Sequence, residues 1–243
     1  MMPFEEFSDI KINTKDAKSL RQNIVQVLKE GIYSGYLPHG LKIVESDLAR
    51  KLNTSRTPIR EAIHQIESEG LVTVIPKIGT FVSVYSIDEI EEIYFIFGAL
   101  QGLAATLSLE LITEDQLKQM EACLTKMGDI HKGKDVKEWF IHNKEFHSLY
   151  LRPCKKKILL KLIKNYTEQV GRYWYLLLSR PENIELLIKE HGEILGAFRS
   201  RNSKMVRENV ERHTRSACKI IIESLKLFSP GESSYPNFLY VKR

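Results

Sequence analysis

Apolar residues recur at helical spacing along most of this chain. The first apolar stripe ends at the turn-forming segment 35–40, and its members are Leu20, Ile24, Val27, Leu28 and Ile32. The second stripe consists of Ile59, Ala62, Ile63 and Ile66. Gly70 ends this second helix, and two short β-rich runs follow at 71–75 and 80–84, joined by Pro76-Lys77-Ile78-Gly79. The pattern predicts a small domain of helices with one hairpin.

From Ile87 onward the strand pattern disappears, and helical periodicity continues to about residue 228. Glycine, proline and short polar segments divide this region into separate helices. The predicted helices span 87–110, 114–131, 135–151, 156–179, 182–200 and 203–227. The sequence therefore predicts a mainly α protein, with an all-helical bundle over 87–228 and an extended tail, 229–243, that contains two prolines.

The segment 53–62, N-T-S-R-T-P-I-R-E-A, combines a sharp turn with the start of a helix. Asn53 tolerates a left-handed backbone, which suits a turn. Ser55 or Thr57 can cap the helix, and Pro58 fits its first turn, where a missing N–H costs nothing. A polar helix face lies opposite the second apolar stripe and is formed by Arg56, Arg60 and His64.

The turn, the proline-started helix and the hairpin with a lysine near its tip together predict a winged helix-turn-helix over residues 10–84. Any three-helix domain could expose two arginines, so the arginine pair alone would not favour DNA binding. The residues expected to contact DNA are Ser55, Arg56, Thr57, Arg60, His64, Lys77 and Gly79. The charge agrees, because residues 11–84 hold eleven Lys and Arg against seven Asp and Glu, which accounts for +4 of the chain's net +5.

Length and cysteine usage bound the remaining interpretation. A chain of 243 residues is long enough for two domains of ordinary size. The three cysteines are odd in number and lack C-x-x-C spacing, which indicates a reduced cytosol. The acidic start is not a signal peptide, and we expect no apolar run near 18 residues. The sequence predicts a cytoplasmic protein without a membrane partner.

Three histidines, His147, His191 and His213, lie on the inward stripes of three predicted helices, and Asn143 precedes the first by one helical turn. For any one of them, a hydrogen-bonded core histidine is the ordinary interpretation. Three together favour a site for a divalent metal, because imidazole is a common ligand and facing helices of a bundle are where such sites are built.

The motifs of common enzymes are missing, since no H-E-x-x-H, no G-x-S-x-G and no Gly-rich phosphate loop occurs. A metal-dependent enzyme built on the three histidines is the alternative from another functional class. A helical docking module that senses no ligand is a third. A regulator would shift a DNA fragment and turn over nothing, whereas a docking module would gain no stability from metal or small molecules.

Residues 18–84 resemble the DNA-binding domain of the GntR family of bacterial transcriptional regulators. The matching segments are Leu48-Ala49, Ser55 to Ala62, Glu69-Gly70-Leu71 and Gly79-Thr80. Asn53 stands where the family usually has Gly, and Ser46 stands where many members have an Arg that contacts DNA. The resemblance implies a homodimeric transcription factor on a palindromic operator in double-stranded DNA, with repression as the expected action.

Residues 87–228 resemble the FCD effector-binding domain of the FadR branch of that family. The family pattern of Asp-x-x-x-His followed by two histidines is matched by Asn143, His147, His191 and His213. In metal-binding members the corresponding residues hold a divalent ion, such as zinc or nickel, beside a pocket for a small organic acid. Because Asn143 replaces the Asp with a weaker, neutral ligand, a metal-free pocket stays open as the alternative.

The effector contacts depart from the family pattern at two positions. Phe97 and Gln101 replace an Arg and a Glu that are common on the first helix of the domain, and that Arg often pairs with an effector carboxylate. Arg172, next to Tyr173, is the candidate to supply the missing positive charge. An exposed arginine with aromatic core neighbours is the plainer alternative.

Overall fold

The computed structural model describes residues 17–33, 36–133, 136–177 and 180–228. These residues form two compact units. Of the described residues, those up to Ser86 and Gly171–Tyr175 form the N-terminal unit, and those from Ile87 to Val170 and from 176 to 228 form the helical unit. Residues 10–16 of the predicted first domain and the predicted tail 229–243 lie outside the described residues.

The N-terminal unit contains three helices and a small antiparallel sheet. The helices are α1 (Ala17–Tyr33), α2 (Glu45–Lys51) and α3 (Arg56–Ser68), and the strands are β1 (Lys42–Ile43), β2 (Val72–Ile75) and β3 (Gly79–Val82). The strand order is β1-β3-β2. The hairpin β2–β3 follows the predicted runs within two residues, whereas β1 was not predicted, because two residues are too few to show a period.

One hydrophobic core holds the N-terminal unit together. Both predicted apolar stripes face it, since Ile24, Leu28, Ile59, Ala62 and Ile66 are fully buried. Leu37, Leu71 and Val82 complete the core from the turn after α1 and from the hairpin. Burying side chains of this kind stabilises a fold by about 1.5–3 kcal/mol each, so the stripes fix how α1 and α3 pack.

The turn between α2 and α3 has the predicted backbone. Asn53 has a φ of 47°, in the left-handed region, and Asn pays less than most residues for that conformation. Ser55 occupies the N-cap position of α3, but its side chain makes no capping hydrogen bond. The predicted capping role of Ser55 is therefore not seen, and α3 starts through backbone geometry. Gly70, with a φ of 77°, turns the chain after α3.

The helical unit consists of α4 (Ile87–Ser108), α5 (Glu114–Gly133), α6 (Val136–Leu151), α7 (Lys157–Gly171), α8 (Trp174–Leu177), α9 (Pro181–Arg199) and α10 (Ser203–Phe228). A short 3-10 turn, Arg152–Cys154, links α6 to α7. The predicted single helix over 156–179 is interrupted, because α7 ends at Gly171 and Arg172 and Tyr173 form a turn. Those two residues belong to the N-terminal unit.

Two glycines let α4 approach α10 closely. A Cβ atom added at Gly98 would lie 3.3 Å from the Thr214 Cβ, and one added at Gly102 would lie 3.0 Å from the Glu211 Cγ. Arg201 joins the two helices at one end, where its guanidinium donates to the carbonyl oxygens of Leu109 and Ile112 just after α4. A positive side chain is favourable there, because the last carbonyls of a helix lack backbone partners.

One expectation about α4 needs correction. Residues 93–109 contain no charged side chain, so an apolar run close to 18 residues does occur. Among the helices that the structure describes, α4 is the one long and apolar enough to cross a membrane by length and composition. Ile90, Tyr94, Ala104 and Ala105 of α4 are nevertheless buried inside the helical unit, as expected for a core helix.

Candidate functional site

The exposed face of α3 presents the predicted DNA-binding side chains. Arg56, Arg60 and His64 are all exposed, while the opposite face of α3 lies in the core. The Arg60 guanidinium donates to both carboxylate oxygens of Glu45 on α2, at 3.0 and 3.4 Å. This hydrogen-bonded pairing raises the pKa of Arg60 further above its ordinary value. Glu45 holds Arg60 in a defined direction, a role that the sequence did not suggest.

The hairpin tip adds a second basic surface. Lys77 is exposed in the β2–β3 turn with a φ of 66°. Gly79 follows with a φ of 141°, and a Cβ there would lie 2.7 Å from the Cε of Lys42. Lys42, exposed on β1, places its Nζ 5.8 Å from the centre of the Phe81 ring. Because Gly79 has no Cβ, the side chain of Lys42 can lie beside the hairpin tip. Sequence reasoning missed this lysine because β1 was not predicted.

Three imidazoles converge inside the helical unit. His147 on α6, His191 on α9 and His213 on α10 each offer a nitrogen, and these three atoms lie within 4.8 Å of one another. The Nε2 atoms of His147 and His191 are 3.2 Å apart. His191 and His213 are buried, and their ring centres are 4.3 Å apart. We call these three residues the histidine cluster.

Hydrogen bonds outside the cluster set the direction of two of the rings. The Nδ1 of His147 is 2.7 Å from the hydroxyl of Tyr150, which in turn donates to Oε1 of Gln101 at 3.3 Å. When the hydroxyl proton goes to Gln101, Nδ1 of His147 donates to Tyr150. The Nδ1 of His213 is 3.0 Å from Oε2 of Glu190. With Nδ1 protonated in both rings, the Nε2 atoms of His147 and His213 have their lone pairs available to the cluster, where Nε2 of His147 is 3.2 Å from Nε2 of His191.

Burial keeps two of the three histidines in the form that metals bind. Burial, reinforced by the charge of His213, lowers the pKa of His147 to about 3. Burial, followed by the charges of His213 and His147, places the pKa of His191 well below its ordinary value. Neutral imidazole is the metal-ligating form, so a metal ion would not have to displace a proton from a charged ring.

The separation of two of the three nitrogens fits a divalent ion. Two nitrogens bound about 2.1 Å from one ion in a tetrahedral site would be roughly 3.4 Å apart, and the 3.2 Å between His147 and His191 is close to that. Within the described residues, the buried Nδ1 of His191 has no hydrogen-bond partner. No such hydrogen bond orients the ring of His191 from outside the cluster, in contrast to the rings of His147 and His213. Asn143, one turn before His147 on α6, is buried.

Two of the predicted effector residues, Arg172 and Tyr173, belong to the N-terminal unit. Arg172 is fully buried in the N-terminal unit, where its guanidinium donates to the carbonyl oxygens of Gly70 and Ser83. Tyr173 stacks on His39 with ring centres 4.5 Å apart, and its hydroxyl accepts from the Tyr85 amide. These contacts of Arg172 and Tyr173 are structural contacts within the N-terminal unit. An effector contact from either residue stays a prediction.

The other two predicted effector residues lie on α4 in the helical unit. Gln101 is buried and accepts a hydrogen bond from the hydroxyl of Tyr150, which in turn contacts His147 of the cluster. Phe97 is buried and meets Tyr94 edge to face. An effector contact from either residue stays a prediction.

Glu190 and Tyr150 are the polar residues near the cluster that sequence reasoning missed. Each forms a hydrogen bond with a cluster histidine. Helical spacing alone does not indicate that either residue contributes to metal binding. The sequence did contain one signal, because Glu190 directly precedes His191. A buried carboxylate beside a candidate ligand is a common way to orient a metal-binding imidazole.

The fold and the two basic surfaces together define a winged helix-turn-helix protein joined to a helical domain with a candidate metal centre. Comparisons with known proteins identify the family. The profile of bacterial regulatory proteins of the gntR family matches residues 20–82, and that of the FCD domain matches residues 92–216. The chain belongs to the GntR family of transcriptional regulators, in the branch that has an FCD domain.

Similar individual proteins agree with this assignment. The HTH-type transcriptional repressor RspR of Escherichia coli K12 is 24% identical over 204 residues, which covers 84% of this chain and 90% of that protein. The regulator YdhC of Bacillus subtilis is 26% identical over 193 residues, 79% of this chain and 86% of that one.

Among solved structures, McbR/YncC of E. coli has a TM-score of 0.72 at 20% identity and covers 86% of this chain and 98% of its own. A GntR regulator from Rhodococcus sp. RHA1 has a TM-score of 0.69 at 17% identity and covers 84% of this chain and 98% of its own. These similar proteins are transcriptional regulators, so the metal-dependent enzyme is not the function of this chain.

Proposed function

We propose that this regulator acts in the cytoplasm as a homodimeric repressor of a palindromic operator, and that a small organic acid controls it at a metal ion held by the histidine cluster. The observation that supports this most directly is the convergence of three imidazole nitrogens within 4.8 Å. The exposed basic face of α3 supports the DNA contact, and the exposed apolar face of α4 supports the dimer.

DNA recognition rests on the two basic surfaces of the N-terminal unit. Arg56 and Arg60 would reach base edges in the major groove, where arginine reads guanine with two hydrogen bonds. Ser55, Thr57 and His64 border them on α3, while Lys77 and Gly79 lie at the hairpin tip. These residues would contact phosphates or the neighbouring groove, which positions the protein without reading sequence.

Two variants separate the two kinds of contact. Arg60→Ala should cost about 1–3 kcal/mol at the base pair that Arg60 reads and relax specificity there, whereas Lys77→Ala should weaken all sequences alike and lower the salt dependence. Gel shifts on a selected operator and on single-base variants measure both effects. If neither substitution alters the affinity for the operator, the proposed contacts do not exist.

A second copy of the chain is the proposed partner of α4. Phe95 is 74% exposed, and Leu103 and Leu107 continue the same side of the helix. The first turns of α4 are acidic, with Asp88, Glu89, Glu91 and Glu92 all exposed. By contrast, α7 begins among lysines and exposes 80% of Ile158. Two faces that are both apolar and oppositely charged favour pairing between copies.

The metal would be held by Nε2 of His147, His191 and His213, with the amide oxygen of Asn143 as a fourth, weaker ligand. Four neutral ligands would leave the positive charge of zinc or nickel uncompensated by the groups that touch it. An anionic chelating effector would complete the coordination and favour the liganded state. If the liganded and free proteins differ in affinity for DNA, the effector controls repression through that difference.

Elemental analysis of protein purified without chelator or affinity tag tests the metal. We expect zinc or nickel in the wild type, a rise in melting temperature on adding the ion to stripped protein, and loss of both in His147→Ala and His191→Ala. His142→Ala is the control, because His142 lies on α6 outside the cluster. Wild-type protein that neither contains nor responds to metal would rule out the metal site and leave the DNA contact untouched.

A panel of small carboxylic acids tests the effector. A chelating acid should raise the melting temperature of the metal-loaded protein and release it from the operator in a gel shift. The same acid should act more weakly on stripped protein, since the ion is its partner. Release that is equal with and without metal would contradict an effector site at the ion.

A further inference from the structure

Glu190 is a buried carboxylate beside the histidine cluster. It belongs neither to the proposed DNA contacts nor to the proposed metal ligands. It is 5% exposed and lies on α9, immediately before His191. Its Oε2 accepts from Nδ1 of His213 on α10 at 3.0 Å, and its Oε1 accepts from the hydroxyl of Ser216 at 2.6 Å. Both carboxylate oxygens therefore have a hydrogen-bond donor.

The bond to Glu190 determines which nitrogen of His213 faces the cluster. When Nδ1 carries the proton and donates it to Glu190, Nε2 has a free lone pair. The His213 ring centre lies 5.3 Å from that of His147 and 4.3 Å from that of His191, so the freed nitrogen belongs to the cluster. A carboxylate that accepts from a ligating imidazole also raises the basicity of the imidazole as a ligand.

Charge gives Glu190 a second role. His147, His191, His213 and Asn143 are all neutral as ligands, whereas an ion such as zinc or nickel has a charge of +2. The neighbouring acid on α9, Glu193, pairs with Arg212, while Glu190 forms its hydrogen bond with His213 itself. The buried negative charge of Glu190 is thus directed at the cluster.

We propose that Glu190 is the positioning residue of the metal site and supplies the negative charge that Asn143 does not. The negative charge would then stand on a carboxylate behind a ligand on α10 instead of on a ligand on α6. This inference rests on the proposed metal function and adds a prediction to it. Loss of the Glu190 charge should weaken metal binding even though all proposed ligands remain.

The test compares metal affinity in four full-length variants, measured by competition with a chromophoric chelator for zinc and for nickel. Glu190→Gln keeps an oxygen acceptor for His213 but removes the charge, and we expect it to weaken binding on the order of 10–100-fold. Ser216→Ala keeps the charge and should have a smaller effect. Asn143→Asp combined with Glu190→Gln should restore most of the loss, because it returns a carboxylate to the site.

Glu193→Gln is the matched control, since Glu193 lies on the same helix, has the same charge and bonds Arg212 instead of a histidine. It should leave metal affinity unchanged. Imidazole nitrogen chemical shifts in the metal-free protein provide a separate readout. They should show Nδ1–H in His213 of the wild type and a mixture of tautomers, or a weaker hydrogen bond, in Glu190→Gln.

The possible failures are distinguishable. Wild-type protein that binds neither ion overturns the metal site and this inference with it. Wild-type binding that Glu190→Gln retains at full strength overturns the role of Glu190 alone. A Glu190→Gln defect that Asn143→Asp does not restore overturns the argument that Glu190 supplies the missing charge, and a melting temperature equal to that of the wild type shows that misfolding is not the cause.

Discussion

At the scale of single residues, the clearest agreement between sequence and structure is local. Asn53 was predicted to turn the chain because of its side chain, and its φ of 47° confirms this. Ser55 or Thr57 was predicted to cap α3, yet Ser55 occupies the N-cap position and its side chain makes no such bond. A backbone preference belongs to one residue, whereas a capping bond also depends on side-chain rotamer and solvent competition.

His39 provides a prediction about pH. Burial, with a contribution from the charge of Arg172, lowers its pKa to about 4. In the unfolded chain His39 titrates near 6.5, so the unfolded state takes up the proton first as the pH falls. The contribution of neutral His39 to the free energy of unfolding is therefore fully present above pH 6.5. It decreases as the pH falls toward 4, by up to about 3 kcal/mol.

The comparison of wild type with His39→Gln isolates this effect, because His147 and His191 change in the same direction in both proteins. Urea unfolding at pH 7.5, 6.0 and 5.0 measures the free energy of unfolding. The wild type should lose more stability between pH 7.5 and 5.0 than the variant does. Identical pH dependence in the two proteins would contradict the proposed neutral state of His39.

At the scale of elements, local signals predicted the helix bounds well and the interruptions poorly. Pro58 and Gly70 bracket α3, and Gly133, Pro153 and Pro181 mark ends in the helical unit, so these positions could be predicted. The break after Gly171 could not. Its cause is the burial of Arg172 against carbonyl groups of Gly70 and Ser83, about 90 to 100 positions away in sequence.

The packing of α4 on α10 provides the prediction at this scale. Gly98→Leu should lower the free energy of unfolding by about 1–3 kcal/mol, because the new side chain has to displace Thr214, whose Cβ lies close to the α10 backbone. Gly128→Leu on α5 is the matched control, since nothing lies within 4 Å of its Cβ position. That substitution should be neutral or stabilising, because glycine is a poor helix former. Chemical denaturation of both variants measures the difference, and equal losses would contradict close packing at Gly98.

At the scale of the whole molecule, helical periodicity placed all three cluster histidines on inward faces, but it could not supply their distances. Whether His147, His191 and His213 meet depends on how α6, α9 and α10 cross, which a one-dimensional pattern does not contain. The same limit explains why Arg172 was assigned to the effector site. Its charge and its aromatic neighbours in sequence did not indicate that Arg172 is buried against the carbonyl groups of Gly70 and Ser83.

The proposed dimer is tested by sedimentation at micromolar concentration. Phe95→Asp should shift the protein from dimer to monomer, because it places a charge in the exposed apolar face of α4. Ile141→Asp on α6 is the control, since Ile141 is also exposed, at 56%, but lies outside that face. Monomeric wild-type protein, with and without operator, would argue against the dimer.

The insertion of Gly171–Tyr175 into the N-terminal unit has a consequence for protein engineering and for domain shuffling. A DNA-binding fragment cut after Ser86 would lose the guanidinium of Arg172, so the carbonyl groups of Gly70 and Ser83 would lose a buried donor and His39 would lose its stacking partner. A buried carbonyl left unpaired costs about 1–3 kcal/mol, whereas the Ser83 carbonyl keeps a contact with Nδ1 of His39 at 3.4 Å. The winged helix of this chain therefore cannot be transferred by itself to another sensor domain. Chimeric regulators that contain it will also need the segment Gly171–Tyr175, which lies far downstream in the sequence.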